Sequence, residues 1–205
     1  MGTRNLICVV RNGEFKVAQY CQWDGYPSGQ GSTACHFVVE NLTTPDGLKQ
    51  FIEKIDALQP ITHKEIAQLW NDIGANDSGF VSFGISRLML EKYPEYHRNT
   101  GAKILDLILN RPFGMKISKA LEFAADSLFC EWCYVIDLDT MNFEIYRGFN
   151  KEKLPENARF AFLNEKSEKD NDHRDNIYYP VRLIAEFGFS QLEPDTLKNF
   201  KLEEE

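Results

Sequence analysis

Leu6-Ile7-Cys8-Val9-Val10, then Arg11-Asn12-Gly13-Glu14, then Phe15-Lys16-Val17-Ala18-Gln19-Tyr20 form one uninterrupted passage near the start of the chain. Its outer blocks are rich in β-branched and aromatic residues. The Asn-Gly pair between them accepts positive φ at both central positions of a tight turn, so the passage predicts an antiparallel hairpin. A second hairpin follows from Trp132 to Leu138 and from Phe143 to Tyr146, with Asp139-Thr140-Met141-Asn142 as its turn.

Between the hairpins the apolar spacing becomes helical. Thr44-Pro45-Asp46 opens a helix in which Leu48, Phe51, Ile52, Ile55 and Leu58 share one face. Thr62-His63-Lys64-Glu65 fits a capping box ahead of Ile66, Leu69 and Trp70. A loop rich in Asn, Asp and Gly covers Gly74 to Gly79, and further helical stretches are expected over 82–92, 99–109 and 118–129. Phe160 to Leu163 reads as a short strand and Asn164 to Asp175 as a polar surface loop. Ile177 to Phe189 reads as a last strand, placed at an edge by Pro180, and Glu203-Glu204-Glu205 as an acidic tail. Strands at both ends with helices between them predict an α+β fold in a single domain of residues 1–205, an antiparallel sheet carrying the central helices.

The chain has 205 residues, 43% of them hydrophobic, enough to bury a substantial core. A formal charge of −8 argues against capture of a nucleic-acid polymer, which needs basic surface. The longest apolar runs are far short of the roughly 20 residues of a membrane span. Five cysteines at irregular spacing (Cys8, Cys21, Cys35, Cys130 and Cys133) read as reduced thiols of a cytoplasmic protein. Cys130-Glu131-Trp132-Cys133 has C-x-x-C spacing, but it straddles a helix end and a strand start, so it reads as a pair of buried thiols. Among His36, His97, Asp24 and the Asp72/Asp77 loop no spacing matches a metal-binding signature, and neither a metal nor an organic cofactor is expected.

The first hairpin runs into Gln22-Trp23-Asp24-Gly25-Tyr26-Pro27-Ser28-Gly29-Gln30-Gly31. Together with Gly2-Thr3-Arg4-Asn5-Leu6, Ala18-Gln19-Tyr20, Arg98-Asn99-Thr100-Gly101-Ala102-Lys103-Ile104-Leu105 and Glu131-Trp132-Cys133-Tyr134-Val135-Ile136-Asp137-Leu138-Asp139, this loop resembles an uncharacterised family of bacterial, phage and fungal proteins. Its members begin Met-Gly-Thr-Arg and carry a Gln-aromatic-Asp-Gly-Tyr-Pro-x-Gly-x-Gly loop. The resemblance implies a shared site and no particular chemistry.

Read physically, Gly25, Gly29 and Gly31 allow close approach of a ligand, and their backbone N–H groups are suited to an anion-binding nest. Arg4, at the same end of the hairpin, offers a guanidinium fork for phosphate or carboxylate. Trp23 and Tyr26 offer stacking faces, while Asp24 and Gln22 offer polar edges. Arg98, ahead of a helix, supplies a second cation for the same ligand, and the Tyr93, Tyr96 and His97 side chains precede it. Asp137 and Asp139 are assigned to a strand and its turn, outside the site.

The set predicts a binder of a small anionic, ring-containing ligand, of nucleotide or nucleotide-derived class. In a phage such a binder would sequester a host defence signal. One alternative is a hydrolase of an amide or a phosphodiester, using Asp24 or Thr3. The strand beginning near residue 2 resembles the opening of N-terminal nucleophile hydrolases, but Gly2 ahead of Thr3 withholds the free amine such a nucleophile needs. Another alternative is a protein-interaction module that includes homo-oligomers.

Overall fold

The computed structural model describes residues 2–75, 82–170 and 177–201. The first hairpin forms as its sequence requires: β1 (Asn5–Arg11) pairs antiparallel with β2 (Glu14–Cys21), and Asn12 and Gly13 take φ of 55° and 70° in the turn. Asp139 fixes that turn by accepting the Asn12 and Gly13 N–H groups at 2.9 and 2.8 Å. The second hairpin is β5 (Trp132–Asp137) and β6 (Asn142–Arg147). The last strand, β7 (Arg182–Gly188), pairs antiparallel with β6 and lies at the edge, just after Pro180.

These five strands form one sheet in the order β2-β1-β5-β6-β7. The two hairpins are joined side by side through β1 and β5, which run parallel, from Asn5 opposite Trp132 to Val10 opposite Asp137. The sheet of this α+β fold is therefore mixed, not wholly antiparallel. The chain between the hairpins crosses back to the end of the sheet where β1 began.

Both faces of β1 and β5 are covered, which accounts for their near-continuous apolar sequences. On one face Ile7, Val9, Tyr134, Ile136, Phe143 and Ile145 pack against α1 (Ser32–Asn41), α2 (Pro45–Asp56) and α5 (Lys103–Asn110), and against Phe189, Leu192 and Leu197 of the C-terminal segment. On the other, Leu6, Cys8, Cys133, Val135 and Tyr146 meet a 3-10 turn at Leu121–Ala125, together with Phe160, Leu163 and Val181. All five cysteines are free and buried, four of them with thiol pKa values raised first of all by that burial (Cys21, Cys35, Cys130 and Cys133).

The central helices begin where their caps place them. Thr44 accepts from Gly47 N–H ahead of α2. Thr62 and Glu65 form a complete capping box at α3 (His63–Asp72), and Ser82 caps α4 (Phe83–Lys92). A short parallel pair, β3 (Gln59–Pro60) with β4 (Lys116–Ile117), ties this region together. No helix among the described residues is long and apolar enough to cross a membrane.

Three local expectations are corrected. Asn164 to Asp170 is not a loop but a helix, α6. Its polar sequence is anchored by the Asn164 amide, which bonds Leu154 in both directions, by Ser167 Oγ donating to Ala125 O at 2.7 Å, and by a Lys166–Asp170 pair one turn apart. Phe160 to Leu163 forms a 3-10 turn at Ala161–Leu163 in place of a strand. The helical stretch expected from 118 shrinks to the 3-10 turn at Leu121–Ala125. Asp77, residues 171–175 and the 203–205 tail lie outside the described residues.

Candidate functional site

At the end of the sheet where β1 starts and β2 stops, the loop after β2 folds onto the first residues of the chain. Gly25 N–H donates to Thr3 O at 2.9 Å, and Asn5 Nδ2 to Trp23 O at 3.4 Å. A Cβ on Gly2 would meet the Trp23 ring, so that ring covers Gly2 while remaining 48% exposed. Asp24 takes a left-handed φ of 58°, which turns the chain back on itself.

Pro27–Gly31 then forms a π-helical turn that runs directly into α1. The sequence expectation left α1 out. Its Ser-Thr-Ala-Cys-His-Phe-Val-Val run has no polar cap in front of it and two adjacent β-branched residues.

This geometry changes the role of the glycines. Gly25 is pressed against Thr3 and Asn5, Gly29 against Asp24, and Gly31 against the Tyr134 ring. The N–H groups expected to form a nest are engaged within the chain. Gly29 and Gly31 donate to Tyr26 O at 2.9 and 3.3 Å, and Gln30 donates to Asp24 O at 2.8 Å. Tyr134 Oη donates to Gly25 O at 2.8 Å from beneath. Behind the loop lies a cavity of about 380 Å³ lined by Asp24, Ser28, Ser32, His36, Glu40 and Asp106. Burial and the neighbouring Glu40 raise the Asp106 pKa. The sign of charge here opposes an anion.

Arg4 does not join that loop. Strand residues alternate between faces, so Thr3 and Asn5 point toward the glycine loop and Arg4 points, with Leu6, to the opposite face. There its guanidinium lies 4.9 Å from the centre of the Phe129 ring. Continuing the register from Asn5–Cys21 places Arg4 across from Gln22. Tyr20 sits beside them, its hydroxyl donating to Gln22 Oε1 at 2.6 Å and its ring edge-on to Phe123. Gln22 N–H donates to Arg98 O at 2.9 Å, which brings Arg98 to the same place. Burial raises the Tyr20 pKa, and the positive charges of Arg4 and Arg98 oppose that rise.

The structure thus divides the predicted set. Arg4, Gln22 and Arg98 gather around Tyr20, which belongs to the motif but is given no role at the site from sequence. Asp24, Gly25, Gly29 and Gly31 lie with α1 on the other face. Trp23 is exposed at the bend, as is Tyr26 at 52%. The Tyr26 phenol lies within electrostatic reach of Arg147, whose guanidinium stacks 4.4 Å over Trp132.

Thr3 is buried, its carbonyl held by Gly25. His97 is buried too, with Nδ1 accepting from Asn99 N–H at 3.1 Å and Nε2 lying 2.9 Å from Ser86 Oγ. That pattern makes Nε2 the protonated nitrogen. Among the described residues no group of three or more His, Cys, Asp or Glu is placed to hold a metal ion. Comparison with protein-family models, with curated proteins and with solved structures finds no match.

Proposed function

We propose that this protein binds a small anionic, ring-containing ligand, of nucleotide or nucleotide-derived class, and holds it unchanged. The observation that carries the reading is the convergence of Arg4 and Arg98 on the Tyr20–Gln22 pair. Two guanidinium groups beside a phenol and an amide offer charge-assisted donors to a phosphate or carboxylate. Phe129 and Trp23, each partly exposed at this end of the sheet, offer faces for a ring. Binding without turnover follows from the neighbours. His97, the histidine next to Arg98, has both ring nitrogens engaged, and Asp24 lies across the sheet. A binder of this kind acts by sequestration, which is the role a phage anti-defence protein would need.

Calorimetry or thermal-shift titration with nucleotides, cyclic dinucleotides and ADP-ribose tests this, with the ligand recovered and analysed afterwards. Arg4→Ala and Arg98→Ala are each expected to weaken binding about 10- to 100-fold, the loss of one charge-assisted hydrogen bond. Asp24→Ala is expected to leave it within about threefold. Undiminished affinity in both arginine variants overturns the reading. A second reading, a protein-interaction surface, is favoured by four partly exposed aromatic side chains at this end of the molecule: Trp23, Tyr26, Phe129 and Phe149. Trp23→Ala that abolishes a dimer or a partner complex, with no nucleotide binding in the parent, supports it instead.

A further inference from the structure

At the opposite end of the Arg4-bearing face, a groove of about 970 Å³ opens between the sheet and the segment that follows β6. That volume suits a small organic molecule. Its floor is Glu144 and Tyr146 on β6, and Phe15, Phe160, Phe162 and Leu183 stand around it. Phe15 stacks on Phe160 at 5.3 Å and lies 6.3 Å from Phe162. Phe162 and Leu183 are 59% and 48% exposed at the mouth.

Two irregularities build these walls. β2 changes register between Val9 and Val10, which face Val17 and Phe15, so one extra residue turns Phe15 onto this face. β7 changes register between Ile145 and Tyr146, which face Ala185 and Leu183, and so brings Leu183 beside Tyr146. Bulges that re-aim side chains on both edge strands toward one cavity are the kind of feature found next to binding sites.

The floor carries an unbalanced charge. Asp137 and Glu144, 3% and 5% exposed, share a single cation, Arg159. Arg159 Nε donates to Glu144 Oε2 at 2.7 Å, and its Nη2 reaches both Glu144 Oε1 and Asp137 Oδ2 at 2.5 Å. Tyr146 Oη donates to Glu144 Oε2 at 2.6 Å. Asp137 Oδ1 takes the Asp139 and Thr140 N–H groups. Glu144 Oε1 accepts from Arg159 Nη2 and has capacity for another donor. At the rim Glu14 pairs with Lys16 at 2.5 Å, and Lys119 stands in water, where its charge is screened from the floor. Two carboxylates against one guanidinium leave a negative excess out of water, which is costly unless a further positive charge approaches.

We infer that this groove is a second ligand site, taking a monocationic organic molecule with an apolar body, of the arylalkylamine class. The ammonium donates to Glu144 Oε1, and the body lies among Phe15, Phe162 and Leu183, where the ring faces also favour a cation.

Isothermal titration calorimetry of the full chain tests it with two probes of one shape and opposite charge, 2-phenylethylamine and phenylacetate. The amine is expected to bind at least about tenfold more tightly than the acid. Phe162→Ala, at an exposed position, is expected to weaken the amine about three- to tenfold. Glu144→Gln, with folding checked by circular dichroism, is expected to remove the preference for the amine. Asp106→Asn, in the acidic cavity behind α1, is expected to change nothing. Equal or tighter binding of phenylacetate, no binding of the amine at millimolar concentration, or a loss in Asp106→Asn but not in Phe162→Ala overturns the inference.

Discussion

A Cβ placed on Gly31 lies 2.8 Å from the Tyr134 ring, and that ring is fully buried, its hydroxyl tied to the same loop by the hydrogen bond to Gly25 O. The ring has no room to retreat, so Gly31→Ala is expected to destabilise the fold by about 1–3 kcal/mol, the usual cost of overpacking. Tyr134→Phe, which removes only the hydroxyl, is expected to cost about 1 kcal/mol and to leave Gly25 O without its buried donor. Urea unfolding of the two variants checks both values, and wild-type stability of Gly31→Ala would show that the contact is loose. The glycine pattern itself was legible; what the glycines approach was not, because a missing Cβ does not say whether chain or ligand fills its place. The direction of Arg4 was legible in principle. A period of two puts Arg4 on the face opposite Thr3 and Asn5, but that the glycine loop folds over the Asn5 side is shown only by the packing of Gly25 against Asn5.

At the scale of elements, the helices with side-chain caps could be read from sequence, as could the uncapped α5 from its apolar spacing, while α1 and α6 could not. Thr44, Thr62 and Ser82 each mark a start that the structure keeps. α1 emerges from a π turn with no side-chain cap, and α6 is held by tertiary contacts of Asn164 and Ser167, so neither announces itself locally. The capping box of α3 gives a sharp expectation because this helix has no fully buried residue of its own. Thr62→Ala is expected to lower the local opening energy of α3 by about 1 kcal/mol, seen as faster amide exchange in 63–72 with little change in β1 or β5. The same end of α3 carries a pH dependence. Lys116, then Thr62, holds Glu65 down at a pKa of about 2. A depressed carboxylate stabilises above its unfolded value of 4.5 and loses that contribution as pH falls from there toward 2. The protection factors of α3, taken relative to the intrinsic exchange rate at each pH, should therefore fall on acidification through that window, and Glu65→Gln should remove the fall. Identical profiles for the parent and Glu65→Gln count against the cap.

For the whole molecule, sequence order and spatial order part company. The groove over Glu144 takes its floor from β5 and β6, its cation from Arg159 and its walls from two edge strands, so no spacing along the chain could have assembled it, and bulges leave no mark in composition. Asp137, read as a strand residue, is one, and it is also half of that buried charge cluster. A link between neighbouring elements gives the fold a pH response near neutrality. His97 joins α4 to the turn before α5, with Nδ1 accepting from Asn99 N–H and Nε2 donating to Ser86 Oγ. A second proton on Nδ1 would end the bond from Asn99, and burial, then Arg98, lowers the His97 pKa below 6.5. Between that lowered value and 6.5 the unfolded chain binds a proton that the folded chain refuses, so stability rises with pH there. The contribution is complete above about 6.5 and is lost as pH falls through the window. The melting temperature of the parent protein should accordingly decline between pH 7 and pH 5. His97→Gln should start lower, having lost the ring, and decline less over the same interval. Parallel curves for the two proteins would place the neutral-pH sensitivity on another group and leave the link between α4 and α5 indifferent to protonation.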